Sequence, residues 1–132
     1  MTDLQGIDHL GLTVSDLQAS LGFFTDALGW EQTGGNPSYP AAYVTNGQAR
    51  ITLWQQKGDD RRGFDRHTNV GLHHFALRVA SQEALDRLFE RVHDWPGVEV
   101  EFAPEFSGTG PKVHFMISEP GGTRMEFSYD PR

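Results

Sequence analysis

IDHLGLTVSDLQASLGFFTDALG, residues 7–29, changes its period once, and that change decides the fold. Leu10, Leu12 and Val14 share one parity while His9, Gly11 and Thr13 share the other, the pattern of a half-buried strand opened by Ile7. From Leu17 the period lengthens: Leu17, Leu21, Phe24 and Leu28 recur at helical spacing and form one apolar stripe. Ser15-Asp16 supplies an oxygen to cap the helix start, and Gly29 is placed to end it. A strand therefore runs directly into a helix.

The same change recurs downstream. GLHHFALRVA, residues 71–80, has Phe75, Leu77 and Val79 on one parity, then Ser81 as a cap. QEALDRLFERVHD, residues 82–94, sets Leu85, Leu88, Phe89 and Val92 on one helical face. His9 aligns with His74 and Asp16 with Ser81, an offset of 65 positions (74 less 9). Two copies of one supersecondary unit are expected. After the first helix a short strand is expected over 30–33, a turn over GGNPSYP (34–40), and a hairpin about Asn46-Gly47. After the second, strands are expected over 98–103, 112–118 and, past Pro120-Gly121-Gly122, over TRMEFSY (123–129). KGDDRRGFDRHTN, residues 57–69, is polar and without period, as a linker or surface loop is.

The fold class is thus α+β. A first β-α-β-β-β module spans 7–56, a linker 57–70 and a second module 71–129, within a single domain spanning 1–132. Neither module can cover its own sheet, so the two must pair, within a chain or between chains.

Composition narrows the function. A net charge of −7 with no basic stripe excludes a nucleic-acid face held by counterion release. No apolar run reaches the ~18 residues that cross a bilayer, so no membrane partner is expected. The chain has no cysteine, which removes disulfides and thiolate chemistry. The acidic start, MTDLQGIDHLG, lacks the basic and apolar regions of a signal peptide, and a cytoplasmic location is expected. A small molecule is the expected partner.

The doubled unit opening with residues 7–30, together with GLHHFALRV (71–79) and EPGGTRMEF (119–127), resembles the vicinal oxygen chelate superfamily. That superfamily includes glyoxalase I, extradiol dioxygenases, fosfomycin-resistance proteins and bleomycin-binding proteins. EPGG is similar to the family's Asp-Pro-Asp-Gly turn, which precedes a strand bearing a glutamate ligand. The resemblance implies a curled mixed sheet around a cleft, helices packed outside, and commonly a homodimer. It also implies metal ligands at His9, His74 and Glu126. One divalent ion per site would be held, with Fe(II) or Mn(II) favoured and Ni(II), Co(II) or Zn(II) also admitted. The fourth ligand of glyoxalase I falls on Thr52, a weak donor. The fosfomycin group's threonine, two residues after the first histidine, falls on Gly11.

Strand alternation agrees with this set. His9, His74 and Glu126 each oppose the apolar parity of their strands, so all three are expected to face the cleft, whereas His73 shares the helix-facing parity and receives a structural role. His114 also takes cleft parity and is the candidate acid–base residue. Tyr43, Arg50, Thr52, Trp54 and Arg124 are candidate pocket residues; His67 and His93 are expected in solvent. The expected function is a divalent-metal-dependent enzyme of the glyoxalase/dioxygenase type, whose substrate chelates the metal through vicinal oxygens. The alternative is a metal-free binding protein of the bleomycin-resistance kind.

Overall fold

The computed structural model describes residues 3–132. Met1 and Thr2, which open the acidic stretch and the 1–132 domain, lie outside the described residues. Strand β1 (Leu10–Val14) leads into helix α1 (Leu17–Gly22), continued by a π-helical segment, Phe23–Ala27. Then come β2 (Glu31–Asn36), β3 (Ala41–Thr45) and β4 (Arg50–Gln55). The second series is β5 (Phe75–Arg78), α2 (Gln82–Val92), β6 (Glu99–Phe106), β7 (Val113–Ser118) and β8 (Arg124–Tyr129). They form two four-stranded mixed sheets, ordered β1-β4-β3-β2 and β5-β8-β7-β6. In each, the first and last strands pair in parallel and the remaining pairs are antiparallel.

Local chemistry explains the boundaries. Asp16 accepts from Ala19 N at 3.1 Å and Ser81 from Ala84 N at 3.0 Å, satisfying first-turn donors that would otherwise be orphaned. Leu28 N bonds Phe23 O at 3.0 Å and Trp30 N bonds Phe24 O at 2.9 Å, closing the π segment before Gly29 turns the chain at φ 74°. Three expectations need correction. β2 runs to Asn36, so Gly34 and Gly35 belong to a strand instead of a turn, because both pair with β3. β5 begins only at Phe75, which leaves both histidines before the ladder. His9 likewise precedes β1 by one residue.

Each sheet turns an apolar face to the core, and β8 is buried on both faces. Leu12 and Val14 are buried while Gly11 and Thr13 are exposed; Val113, Phe115 and Ile117 are buried while His114 is half-buried. The apolar faces meet α1 and α2 in one cluster, in which Phe115 and Phe127 stack with centroids 4.9 Å apart.

Polar bonds join the sheets. Ser15 N donates to Gly121 O at 3.0 Å, and Arg91 Nη1 donates to Ala27 O at 3.2 Å. The deepest link is Glu119, 1% exposed, whose Oε1 accepts from Ser20 Oγ at 2.5 Å and from Gly121 N at 2.8 Å. Its Oε2 accepts from Thr123 N at 3.0 Å. Burial raises the Glu119 pKa above its ordinary value of 4.5, outweighing these hydrogen bonds, which pull the other way.

A raised folded-state pKa means the native state holds the proton more tightly than the unfolded chain. The Glu119 contribution is therefore fully present below the unfolded value near 4.5 and is lost as pH rises through the folded value. The urea midpoint of the wild type should fall more steeply than that of Glu119→Gln as pH rises from 4.5 to 7.5; parallel curves would contradict it. A Cβ on Gly121 would meet Ser20 Oγ, and would lie 2.6 Å from Val14 Cβ and 2.8 Å from Glu119 Oε1. Gly121→Ala should cost ~3 kcal/mol by overpacking, read as a lower urea midpoint at unchanged slope.

Candidate metal centre and cleft

Register builds the candidate centre. Ala76 on β5 lies opposite Glu126 on β8, which lies opposite Met116 on β7. His74 sits two residues before Ala76, just ahead of the ladder, and reaches Glu126 with Nε2 3.2 Å from Oε1. His114, two residues before Met116, places Nδ1 3.1 Å from Glu126 Oε2. Lys112 Nζ stands 3.8 Å from the same oxygen. Glu126 is buried, 8% exposed, and its carboxylate oxygens meet all three of these side chains. Phe102 packs on His114 with ring centroids 4.8 Å apart and walls off one side.

The first sheet carries the corresponding row. Gly11 opposes Thr52, Thr52 opposes Tyr43, and Tyr43 opposes Gly34. Thr52 thus occupies in the first sheet the register position of Glu126 in the second. Its hydroxyl accepts from Trp54 Nε1 at 2.8 Å. Trp54 packs edge-on to Tyr39 at 4.7 Å and near Tyr43 at 6.0 Å. A Cβ on Gly11 would stand 3.3 Å from Thr52 Oγ1, so this glycine keeps room above the pair. His9, Tyr43, Arg50 and Thr52 line a recess of about 420 Å³. His9 is exposed and its Nδ1 meets Asp8 Oδ2 at 2.7 Å, a bond that with the attraction between them lowers the Asp8 pKa.

Two of the three expected ligands, His74 and Glu126, are therefore brought together, and His9 stands apart on the other sheet. Among the described residues no group of three histidine, aspartate or glutamate side chains is arranged to hold a metal ion. His74 and Glu126 fit a divalent cation chemically: an imidazole nitrogen from the segment before β5 and a carboxylate oxygen from β8 converge. The pair is half of a donor set, and its completion requires a ligand from elsewhere.

His73 departs from the alternation argument. Its ring contacts that of His74, with centroids 5.0 Å apart and Nδ1 atoms 2.8 Å apart. Alternation applies only within the ladder, which starts at Phe75, so the two rings are free to turn together. Arg124 is engaged as well: Nε and Nη2 donate to the two Glu101 oxygens, each at 2.7 Å. This pairing holds the Glu101 carboxyl below its ordinary range. Partial desolvation, then the Arg124 charge, lowers the His73 pKa and favours the neutral ring. Sequence reasoning missed Glu101, and it gave His73 a structural role but set it on the face opposite to the ring it touches. Glu101 lies on a strand with two register shifts, where simple parity gives no face.

Between the sheets lies a cleft of about 580 Å³ lined by Gly11, Thr13, Arg61, Arg66, His73 and Arg124, among others. His67 is exposed beside Asp65, and His93 is exposed with its ring bonded to backbone carbonyls, as their polar contexts suggest.

The profile described as Glyoxalase/Bleomycin resistance protein/Dioxygenase superfamily matches residues 6–127. The chain belongs to this superfamily. The catechol-2,3-dioxygenase of Bacillus subtilis (strain 168) is 31% identical over 87 residues, which are 65% of this chain; the chain spans about 30% of that relative's length. The crystal structure of a glyoxylase/bleomycin resistance protein/dioxygenase domain from Frankia sp. EAN1pec superposes with a TM-score of 0.82 at 26% identity, covering 97% of this chain and 99% of that one. A lactoylglutathione lyase from Agrobacterium tumefaciens gives a TM-score of 0.70 at 21% identity, covering 97% and 96%. A genomically encoded fosfomycin resistance protein from Listeria monocytogenes gives 0.72 at 19%, covering 96% and 93%. The last two share the fold. No helix among the described residues is long and apolar enough to cross a membrane.

Proposed function

We propose that this superfamily member is a divalent-metal-dependent enzyme of the glyoxalase/dioxygenase type, acting on a small substrate with vicinal oxygens. The observation that carries the reading is the half-site: buried Glu126 holds Oε1 3.2 Å from His74 Nε2. His9 of a second copy of the chain would complete a set of two imidazoles and one carboxylate. That arrangement makes a homodimer part of the reading, and it is supported by the exposure of Ile7 (85%) two residues before His9. The bound ion would supply charge stabilisation to oxygens of the substrate.

The chain's own residues supply the surroundings. Glu126 and His74 orient one another; His114, bonded to Glu126 through Nδ1, keeps Nε2 to carry a proton at the cleft. Tyr43, Thr52 and Trp54 give the facing half an aromatic wall with two hydroxyls, and Arg50 adds a positive charge beside His9. The same aromatic group of Tyr39, Tyr43 and Trp54 favours the second reading, metal-free sequestration of a flat ligand. A ligand bound equally well before and after chelation would select it.

Protein purified without chelators should carry close to one Fe(II) or Mn(II) per site by elemental mass spectrometry, and Glu126→Ala should remove it. Full metal content in that variant sinks the ligand assignment. Sharing between copies has its own test. His9→Ala and Glu126→Ala should each be metal-free alone, and unfolding and refolding them together should restore about a quarter of the wild-type sites by random mixing of two-fold dimers. No recovery would place all the ligands within one chain.

A further inference from the structure

The linker between the two modules, residues 57–70, walls one side of the cleft of about 580 Å³, and that wall is basic. Arg61, Arg62 and Arg66 line the cleft from the linker and Arg124 lines it from β8. The chain has a net charge of −7 and 11 lysines and arginines, yet four of those cations gather at one cavity. Among the described residues no aspartate or glutamate lines it. Nearby carboxylates offset only part of the charge. Asp60 pairs with Arg62 at 2.8 Å, while Glu101 takes two donors of Arg124 and stands 3.9 Å from Arg66. Arg61 donates through Nε to Gly58 O at 3.1 Å and meets no carboxylate among the described residues. Four guanidiniums against two carboxylates leave two positive charges over.

The wall is also held in place. Gln56 Nε2, just past β4, donates to Arg62 O at 2.8 Å, which ties the linker to the first sheet. Asn69 closes the far end, donating through N to Asp65 O and accepting from Asp65 N through Oδ1, each at 2.8 Å. The Phe64 ring lies against Gly71, where a Cβ would stand 2.7 Å from it. Donors fixed in this way lose little freedom when a ligand arrives. The hydroxyls of Thr13, Ser118 and Thr123 line the same cleft, and none of them bonds a protein group among the described residues. Phe64 and Leu12 add apolar surface beside these polar groups.

We propose that the linker makes this cleft a binding site for a small dianionic molecule, with Arg61 and Arg66 engaging its phosphate or paired carboxylates and Phe64 covering an apolar body. A guanidinium presents parallel N–H donors that match the oxygens of either group. Two uncompensated charges suit a dianion, and the repulsion from an acidic chain is offset only here. The proposal goes beyond the metal-site reading and stands without it, because none of these residues is a proposed ligand of the ion.

The test is calorimetric titration of the full chain after chelation, so that no metal can hold the probe. Phenyl phosphate and benzylmalonate carry the same apolar ring on a phosphate and on two carboxylates, and benzyl alcohol carries it without charge. One dianion or both should bind saturably at one per chain, the tighter naming the anion, and benzyl alcohol should not. Arg61→Gln and Arg66→Gln should each weaken that binding about 10-fold, the loss of one charge-assisted contact, at unchanged urea midpoints. Arg87→Gln, which removes the same charge from the exposed face of α2, should leave it within two-fold. Absence of saturable binding by both dianions would overturn the proposal. So would binding that survives intact in Arg61→Gln and Arg66→Gln, or that falls equally in Arg87→Gln.

Discussion

Parallel pairing of β5 with β8 is the constraint on which the candidate centre depends. A hairpin cannot join parallel neighbours; the chain must leave the sheet and return, which here takes α2, β6 and β7. The crossover sets Ala76 against Glu126 in register, and the segment before β5 then carries His74 to the carboxylate. The same pairing of β1 with β4 sets Gly11 against Thr52. Two residues so far apart in sequence become neighbours because a helix of the right length lies between their strands.

The first and second sheets are built alike yet differ in chemistry. At equivalent register one carries Thr52, satisfied by Trp54, and the other Glu126, faced by two imidazoles and a lysine. One half is an aromatic wall and the other a charged half-site. The buried Glu119 explains how two such halves keep a fixed relation: it ties the β7–β8 turn to Ser20 of α1 with every oxygen used.

Legibility differed by residue for identifiable reasons. Where a strand is flanked by ladder partners on both sides, as β4 and β7 are, alternation placed Thr52, Trp54 and His114 on the open face. Where the ladder had not begun, alternation gave the wrong relation, and His73 touches the ring it was expected to oppose. Arg124 has the open-face parity of a pocket residue, but its guanidinium is committed to Glu101 and the histidine pair, which no spacing rule reveals.

The sequence by itself determined the period changes, the offset of 65 between His9 and His74, the caps at Asp16 and Ser81, and the two-faced strands. All of these are local or repeated patterns. Only the tertiary structure decided that His74 meets Glu126 while His9 does not, that Glu119 is buried between the sheets, and that an arginine held by Glu101 meets a histidine pair. These contacts join residues far apart in sequence, on neighbouring strands of one sheet or across the two, and neither kind of neighbour leaves a period to read.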